Sequence, residues 1–271
     1  MLSDFLEVCE RAAREGGKRL LEWRGRVSPK HKGPKDLVTE ADFASQNAIQ
    51  EIVLGAFPDH RFLGEESPPT SRPGKPAATA AQSADGPGFR WVVDPLDGTS
   101  NYVHGIPSYA VSVALEQDGQ IIVATVFDPN HGECFTASRG GGAFLNRRRI
   151  RTSACNCVGD ALIAVSFSAH VPRGSIEVRQ FAEIVHECHG VRRLGSAALN
   201  LCYVACGRMD GYYTAAVRPW DVAAGVLMLT EAGGIVSAMD GGPFVLDRPH
   251  LVCAATAALH GELRAILARV E

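Results

Sequence analysis

Apolar residues return every three or four positions along several stretches of the chain, which is the spacing of one face of an α-helix. This pattern predicts helices over residues 5–23, 175–186, 197–205, 222–232 and 257–270, and one more that follows residues 36–42 and ends near Phe57. Gly207 and the pair Gly233-Gly234 follow two of these stretches and are expected to end the helices. Residues 30–35 show no apolar period and are predicted to form a basic loop.

Shorter apolar runs between turn residues predict β-strands. In the first half they cover residues 61–63, 91–93, 110–115, 121–127, 134–137 and 143–145, and in the second half residues 161–166 and 212–213. The pair Asp118-Gly119 predicts a hairpin between two of the strands. We therefore expect an antiparallel sheet in an N-terminal half, residues 1–150, and a mixed sheet in a C-terminal half, residues 151–271, with helices layered on both.

The stretch of residues 91–101, WVVDPLDGTSN, carries the strongest chemical signal in the chain. Residues 91–93 are predicted to end a buried strand, because aromatic and β-branched residues favour packed, extended positions. Asp94 stands where that strand is expected to stop. Pro95 is expected to take the chain out of the sheet, since it cannot donate to a strand ladder.

The residues that follow suggest what this turn binds. Asp97 comes three residues after Asp94, and a bend between them would bring both carboxylates into one pocket with the carbonyl group of Leu96. Gly98 lets an anion approach the backbone, and Thr99 has the character of a helix N-terminus, where free N–H groups attract phosphate. The pattern indicates a hard cation beside a phosphate. The structural alternative is a strand, a proline turn and a helix cap with no ligand.

Composition and charge restrict the class of protein. The chain has 271 residues, of which 46% are hydrophobic and 21% charged, as in globular proteins and unlike disordered ones. Its net charge of −3 implies no general affinity for nucleic acid, and the arginines at positions 147, 148, 149 and 151 are predicted to be solvated surface. The eight cysteines form no Cys-x-x-Cys pair, and Cys202 and Cys206, which could share a helix face, are expected to be core thiols and not a zinc site. No secretory signal or membrane-spanning run is evident, so a cytoplasmic location is expected.

Two further motifs accompany the central stretch. Residues 64–67, Gly-Glu-Glu-Ser, lie upstream, and residues 218–225, which open Arg-Pro-Trp-Asp, lie far downstream. With all three motifs, the sequence from about residue 36 to about residue 242 resembles the inositol monophosphatase family, which are magnesium-dependent, lithium-sensitive phosphomonoesterases. The resemblance implies a layered α+β or α/β fold, an αβαβα sandwich of the sugar-phosphatase type, with the site between the two sheets.

The resemblance also implies a set of metal ligands. Glu65, Asp94 and the Leu96 carbonyl would hold one Mg²⁺ ion, and Asp94, Asp97 and Asp221 a second, with a third ion weakly held near Glu65. Magnesium prefers such oxygen ligands. For Asp221 the alternative is a helix cap, because an acid at the first turn of a helix is favourable.

The same resemblance assigns the catalytic groups. Glu65 and Thr99 would orient an attacking water that the metal acidifies, and Asp42 would stand behind Thr99 and hold its hydroxyl group. The backbone N–H groups of Gly98 and Thr99 would receive the phosphate. The alternative for residues 36–42 is plain helix capping by Asp36 or Thr39. Glu66 is left as an acid behind the ligands or on the surface, and His104 as a structural residue.

The substrate side of the site departs from the family pattern. Asp97, Asp221 and the segment Gly195-Ser196-Ala197 match substrate-facing positions, and Arg192 is expected nearby. Inositol-selective members carry a glutamate seven residues before the Trp-Asp aspartate, where this chain has Thr214. Threonine is neutral and shorter, so a charge-assisted contact is lost. The expected reaction is hydrolysis of inositol 1-phosphate, and the alternatives are histidinol phosphate, fructose 1,6-bisphosphate or a 3′-phosphoadenosine nucleotide.

Three further expectations concern partners and motion. A homodimer is expected, because family members commonly form dimers. No membrane partner is expected. A function of another class is a regulatory protein that binds the transcription machinery, with the arginine cluster as its contact surface. Residues 67–88, rich in Pro, Ala, Ser and Gly, are predicted to be a mobile surface loop, and the alternative is a loop that closes over the site when metal binds.

Overall fold

The computed structural model describes residues 2–33, 36–67 and 88–270. The elements of the first half are α1 (Leu2–Trp23), β1 (Lys30–Gly33), β2 (Asp36–Val38), α2 (Glu40–Ala56), β3 (Arg61–Gly64), β4 (Phe89–Asp97), α3 (Thr99–Val103), β5 (Ala110–Gln117), β6 (Gln120–Asp128), β7 (Glu133–Ser138), β8 (Gly142–Leu145) and β9 (Arg148–Arg149). Those of the second half are β10 (Leu162–Ser166), α4 (Ile176–Glu187), β11 (Gly190–Arg192), α5 (Ala197–Ala205), β12 (Gly211–Thr214), α6 (Pro219–Glu231), β13 (Ile235–Ala238), β14 (Leu251–Ala254) and α7 (Ala257–Leu267).

Strands β3 to β9 form a seven-stranded sheet in which sequence neighbours are also spatial neighbours. β3 and β4 are parallel, and every later pair is antiparallel. The predicted hairpin joins β5 to β6, with Asp118 at φ +51° and Gly119 at φ +80°, the left-handed backbone that a tight hairpin turn requires. The prediction of a mainly antiparallel sheet in this half is confirmed.

The second sheet has five strands in the order β11-β10-β12-β14-β13. β10 runs parallel to β11 and β12, whereas β14 is antiparallel to β12 and β13, so the sheet is mixed as predicted. The last residues of the parallel strands β10 and β12, Ser166 and Thr214, are paired side by side. Ligands commonly bind beyond the carboxyl ends of parallel strands, so this edge of the sheet is a candidate binding site.

The helices and sheets stack in five layers, and this confirms the αβαβα architecture. α1 and α2 cover one face of the seven-stranded sheet, α5 and α6 lie between the two sheets, and α4 and α7 cover the outer face of the five-stranded sheet. The middle helices are apolar on most sides, because each packs against both sheets. The acidic motifs of the sequence therefore belong to a core in which most polar groups must be paired.

Several short elements differ from the expectations. The predicted basic loop contains β1, which pairs with β2 in a hairpin; Pro34 and Lys35 of that segment lie outside the described residues. β1 is largely exposed and has no apolar alternation, so the pattern could not reveal it. The strands β9, β11, β13 and β14 were also missed, because stretches of two to four residues are too short for a period to appear.

One helix boundary also differs from the prediction, and one expectation falls outside the described residues. α6 begins at Pro219, three residues before the predicted start, with the proline in the first helical turn where no N–H donor is needed. Residues 68–87, most of the segment predicted to be a surface loop, lie outside the described residues. Among the helices of the described part of the chain, none is long and apolar enough to cross a membrane.

Candidate active site

Asp94 and Asp97 both lie on β4, which continues through them instead of stopping at Asp94. Asp94 pairs with Ser112 and Asp97 with Ala110, so β4 carries one residue more than β5 at this point, which is a bulge. Side chains three residues apart on a regular strand face opposite sides, and the bulge removes that alternation. Pro95 stands inside it, where no ladder hydrogen bond is needed. The expectation that Pro95 takes the chain out of the sheet is wrong.

Asp97 connects the seven-stranded sheet to helix α5 of the middle layer. Its Oδ2 atom accepts a hydrogen bond from the Ser196 hydroxyl group at 2.6 Å and one from the Ala198 backbone N–H at 2.7 Å, both at the start of α5. Ser196 is also the N-cap of α5, since its Oγ atom accepts from the Leu199 N–H at 3.1 Å. One carboxylate oxygen of Asp97 is thus fixed by the second half of the chain.

Asp221 lies in the first turn of α6, next to this contact. Its Oδ2 atom accepts a hydrogen bond from the Arg218 N–H at 2.8 Å, which gives it a helix-capping role. The Ser112 hydroxyl group donates to the Trp220 carbonyl at 3.2 Å and ties the same turn to β5. The capping alternative for Asp221 is therefore observed, whereas metal ligation by the same side chain stays a prediction.

These acids lie close enough to raise one another's pKa. Burial raises the pKa of Asp94 well above its usual range, and the charges of Glu65, Asp97 and Asp221 raise it further. Burial is also the main cause of the raised pKa values of Asp97 and Asp221. A cation among the carboxylates would offset both burial and repulsion, and their oxygen atoms are the donors that Mg²⁺ prefers. The residues present therefore fit a divalent cation chemically.

The acids are held by protein donors rather than gathered around one point. Across residues 2–33, 36–67 and 88–270, no three His, Cys, Asp or Glu side chains stand together as a ready-made metal-binding group. Asp94 Oδ1 accepts from the Leu96 N–H at 3.0 Å, in addition to the contacts of Asp97 and Asp221 given above. Side-chain rotation would have to complete the ligand set.

Lys32 forms ion pairs with the two adjacent glutamates. Its Nζ atom lies 2.8 Å from Glu65 Oε1 and 2.6 Å from Glu66 Oε1. Burial opposes the charge of Lys32, but the two carboxylates outweigh it and raise the lysine pKa. The Glu66 side chain is only 4% exposed, so of the two alternatives for this residue the surface one is wrong. The missed hairpin β1–β2 is the element that carries Lys32 here.

Thr99 and Asp42 meet as the resemblance implied. The Thr99 hydroxyl group lies 3.1 Å from the Leu96 carbonyl oxygen and 3.4 Å from Asp42 Oδ1. The other oxygen of Asp42 accepts from the N–H and hydroxyl groups of Thr39, at 2.8 and 2.6 Å, and so completes the N-terminal cap of α2. Burial raises the pKa of Asp42 to about 7. Asp42 thus serves the cap and contacts Thr99 at the same time.

Gly98 connects β4 to α3 in a conformation that favours glycine. Its φ of +100° lies in the left-handed region, and it precedes the first residue of α3. A Cβ atom at this position would stand 2.9 Å from the Ser108 carbonyl oxygen, 3.1 Å from Tyr109 Cβ and 3.3 Å from the Gly195 carbonyl oxygen. The turn therefore depends on both backbone freedom and the absence of a side chain.

A cavity of about 150 Å³ opens beside these residues. Its walls are formed by Asp97, Ser166, Phe167, Arg193, Gly195, Ala197, Ala216, Val217 and Asp221. It therefore lies at the carboxyl ends of β10 and β12 and reaches the acids of β4 and α6. The expected substrate positions Asp97, Gly195, Ala197 and Asp221 all line it.

Four other expected substrate positions, Gly98, Thr99, Ser196 and Thr214, are not on the cavity wall. Ser196 is buried, and its hydroxyl group donates to Asp97 and accepts from the Leu199 N–H as the cap of α5. Thr214 is fully buried, and its hydroxyl oxygen accepts a hydrogen bond from the Ala216 N–H at 3.3 Å. The position that is glutamate in inositol-selective members is thus a neutral side chain that is already engaged.

Ser166, Phe167, Arg193 and Val217 line the cavity but were not among the expected site residues. The sequence indicated Arg192, the neighbour of Arg193, but Arg192 does not line the cavity and donates to the Val191 carbonyl at 2.9 Å. Ser166 and Phe167 could have been found from the predicted strand 161–166, because residues at the carboxyl end of a parallel strand commonly face ligands. No signal in the sequence distinguished Arg193 from Arg192.

The chain is similar in sequence to proteins of a known family. A sequence model of the inositol monophosphatase family matches residues 1–271. Among curated relatives, an inositol-1-monophosphatase of Rhizobium meliloti (strain 1021) is 41% identical over 259 residues, which cover 93% of this chain and 91% of that protein. The Nus factor SuhB of Pasteurella multocida (strain Pm70) is 38% identical over 260 residues, which cover 94% of this chain and 92% of that protein.

The fold is matched as well. The crystal structure of the extragenic suppressor protein suhB from Bartonella henselae aligns with a TM-score of 0.87 at 36% identity. The alignment covers 97% of this chain and 98% of that chain. Sequence and fold are therefore similar over nearly the same residues.

Proposed function

The chain belongs to the inositol monophosphatase family of phosphomonoesterases, and we propose that it hydrolyses inositol 1-phosphate to inositol and phosphate with Mg²⁺ as cofactor. One observation carries the proposal. Burial raises the pKa of the Asp94, Asp97 and Asp221 carboxylates, the charges of Asp97 and Asp221 raise that of Asp94 further, and Asp97 and Asp221 line a cavity of the size of a small metabolite. Buried acids without an equal number of basic partners favour a bound cation.

The ligands of that cation are proposed from the family resemblance. Glu65, Asp94, the Leu96 carbonyl, Asp97 and Asp221 would hold two Mg²⁺ ions, with a third near Glu65. When bound, these ions supply positive charge for the phosphate and lower the pKa of a water molecule. The charge of the phosphate dianion is the main obstacle to hydrolysis, so neutralisation and placement account for most of the chemistry.

The protein groups would place the water and the phosphate. The Thr99 hydroxyl group donates toward Asp42 and the Leu96 carbonyl, so its oxygen lone pairs are free to accept a hydrogen bond from the attacking water. Glu65 would orient the same water from the end of β3. The N–H groups of Gly98 and Thr99 at the start of α3 would receive the phosphate oxygens, and Gly195 and Ala197 would face the remainder of the substrate.

Phosphate release tests this proposal directly. Inositol 1-phosphate, histidinol phosphate, fructose 1,6-bisphosphate and 3′-phosphoadenosine 5′-phosphate are each offered with Mg²⁺, with chelator, and with Mg²⁺ plus lithium. We expect turnover that requires Mg²⁺ and falls with lithium, highest on inositol 1-phosphate. Faster turnover of one of the other three would make that compound the better candidate. No turnover of any of them would overturn the proposal.

A pair of variants tests the metal assignment. Asp94→Asn should reduce turnover by at least about a thousandfold, because the residue would bridge both ions. Asp240→Asn removes an exposed aspartate whose Oδ1 atom only accepts from the Gly242 N–H, and should leave turnover unchanged. Full activity in Asp94→Asn would refute the assignment.

A second candidate function is a regulatory role in transcription, since one relative is a protein named Nus factor SuhB. The arginines Arg147, Arg148, Arg149 and Arg151 are exposed, and none of them forms an ion pair with another described residue. They offer a positively charged surface around β9. Asp94→Asn would abolish hydrolysis and leave binding at this surface intact, which separates the two functions.

The oligomeric state of the protein and its location in the cell are proposals as well. A homodimer is proposed from the family resemblance, and sedimentation of the purified protein would test it. A cytoplasmic location is proposed, and fractionation of cells would test it.

A further inference from the structure

The cavity beside the acids carries opposite charges on different parts of its wall. Asp97 and Asp221 form the acidic part, and Arg193 is the only positively charged residue that lines the cavity within the described chain. The Arg193 guanidinium lies 6.0 Å from the centre of the Phe167 ring. No ion pair joins Arg193 to any acid in residues 2–33, 36–67 or 88–270. A guanidinium has only donors, so this wall is suited to an acceptor.

The other groups near Arg193 offer little to a neutral polyol. The Ser166 hydroxyl accepts from the Tyr212 hydroxyl at 3.0 Å, and the Thr214 hydroxyl oxygen is engaged by the Ala216 N–H. Phe167, Ala216 and Val217 supply apolar surface. No carboxylate apart from the two proposed metal ligands lines the cavity in the described residues. Ring hydroxyl groups would therefore find few acceptors here, whereas a second anion would find a free guanidinium.

Two other arginines lie next to the cavity wall without forming part of it. Arg192 and Arg218, the neighbours of lining residues Arg193 and Val217, are both exposed and do not line the cavity. Arg192 therefore provides a control for the charge of Arg193.

We propose that Arg193 binds a second anionic group of the substrate, a phosphate or a carboxylate, separated by a sugar-sized body from the phosphate that is cleaved. Phe167 would contact the sugar or base between the two anions. This inference rests on the proposed phosphatase function and widens its substrates to sugar or nucleoside phosphates with two anionic groups. Arginine is suited to this role because its planar fork donates two hydrogen bonds to one phosphate or carboxylate.

The test compares substrates with one and two anionic groups in matched variants. Arg193→Met keeps a long side chain but removes the charge, and Arg192→Met removes the adjacent charge that does not line the cavity. Arg193→Lys restores a charge without the fork. The steady-state constants of each variant are measured on inositol 1-phosphate, fructose 1,6-bisphosphate and 3′-phosphoadenosine 5′-phosphate. The last two distinguish a sugar from a nucleoside carrier of the second phosphate.

We expect Arg193→Met to lower kcat/KM on at least one of the two-anion substrates by about tenfold to a hundredfold, mainly through KM. Inositol 1-phosphate should change by less than about twofold, and Arg192→Met should leave all three substrates within that range. Arg193→Lys should recover part of the loss. This pattern would support the inference.

Three results would overturn it. An equal loss of kcat/KM on all substrates would mean that Arg193 supports the structure of the cavity wall or its overall electrostatic potential. No loss on either two-anion substrate would mean that it contacts no second anion. An equal effect of Arg192→Met would assign the preference to nonspecific charge. Wild-type protein that hydrolyses none of the three would instead refute the phosphatase proposal, so the two failures are distinguishable.

Discussion

The substitution Gly98→Ala tests whether the turn between β4 and α3 depends on glycine. Two separate costs are expected at this position. The left-handed φ of +100° disfavours any residue with a Cβ atom, and the added atom would stand 2.9 Å from a backbone oxygen, that of Ser108. The Ser108 carbonyl oxygen also accepts a hydrogen bond from Asn101 Nδ2 at 2.7 Å, so it cannot move away from the added atom without breaking that bond.

The size of each cost can be stated. A left-handed backbone costs an ordinary residue about 1–2 kcal/mol. Forcing one extra carbon into a packed site costs about 1–3 kcal/mol more. Gly105 provides a matched control, because its φ is +73° and a Cβ atom there would meet nothing within 4 Å. Gly105→Ala should therefore show the backbone cost alone, and Gly98→Ala should exceed it by the packing cost.

Urea unfolding measures the stability of both variants, and phosphate release measures their activity. We expect Gly98→Ala to lose more free energy of unfolding than Gly105→Ala by about 1–3 kcal/mol. Gly98→Ala should also lower kcat/KM by at least about tenfold, because the N–H groups that would receive phosphate move with the turn. If the two variants agreed within about 0.5 kcal/mol, the close packing at Gly98 would not limit the turn.

Three further predictions test single contacts. Ser196→Ala removes the α5 cap and one donor to Asp97, and should lower the free energy of unfolding by about 1–2 kcal/mol in urea titrations. Lys32→Met removes the ammonium group that would compete with Mg²⁺ for Glu65. The Mg²⁺ concentration for half-maximal turnover should therefore fall by about threefold to tenfold. Lys30→Met, an exposed lysine on the same strand, should leave it unchanged. Burial raises the pKa of Asp42 to about 7, so with chelator present its contribution to stability is complete below about pH 4 and is lost as the pH rises through 7. Asp42→Asn should flatten that part of the stability curve, and an unchanged slope would refute the shift.

The sequence predicted the layers and the acids because both depend on local patterns. Long apolar periods located α1, α5 and most strands of the first sheet within a few residues. The acids at positions 94, 97 and 221 could be singled out because each stands beside a proline, glycine or tryptophan in a short motif, although of the three neighbours Pro95 lies inside β4 and not at its end. Chemistry of this kind is visible one motif at a time.

What the sequence could not give is contact between distant segments. The pairing of Lys32 with Glu65 joins a hairpin without apolar alternation to the end of β3, and no local pattern encodes it. The bulge at Pro95 was missed for the related reason that its pairing depends on β5. The choice between Arg192 and Arg193 depends on which side chain faces the cavity at the end of a three-residue strand. Each requires the tertiary structure.

The contacts of Asp97 imply that the proposed metal binding would be coupled to the packing of α5 on the seven-stranded sheet. One oxygen of this carboxylate is already held by Ser196 and Ala198 at the start of α5, which leaves the other for a cation. A ligand that binds only the folded state stabilises it, and here the ligand would bind through a group that also joins α5 to that sheet. Loss of the Ser196 donor should therefore weaken the metal site as well as the packing. By the same linkage, added Mg²⁺ should stabilise Ser196→Ala less than it stabilises the wild-type protein.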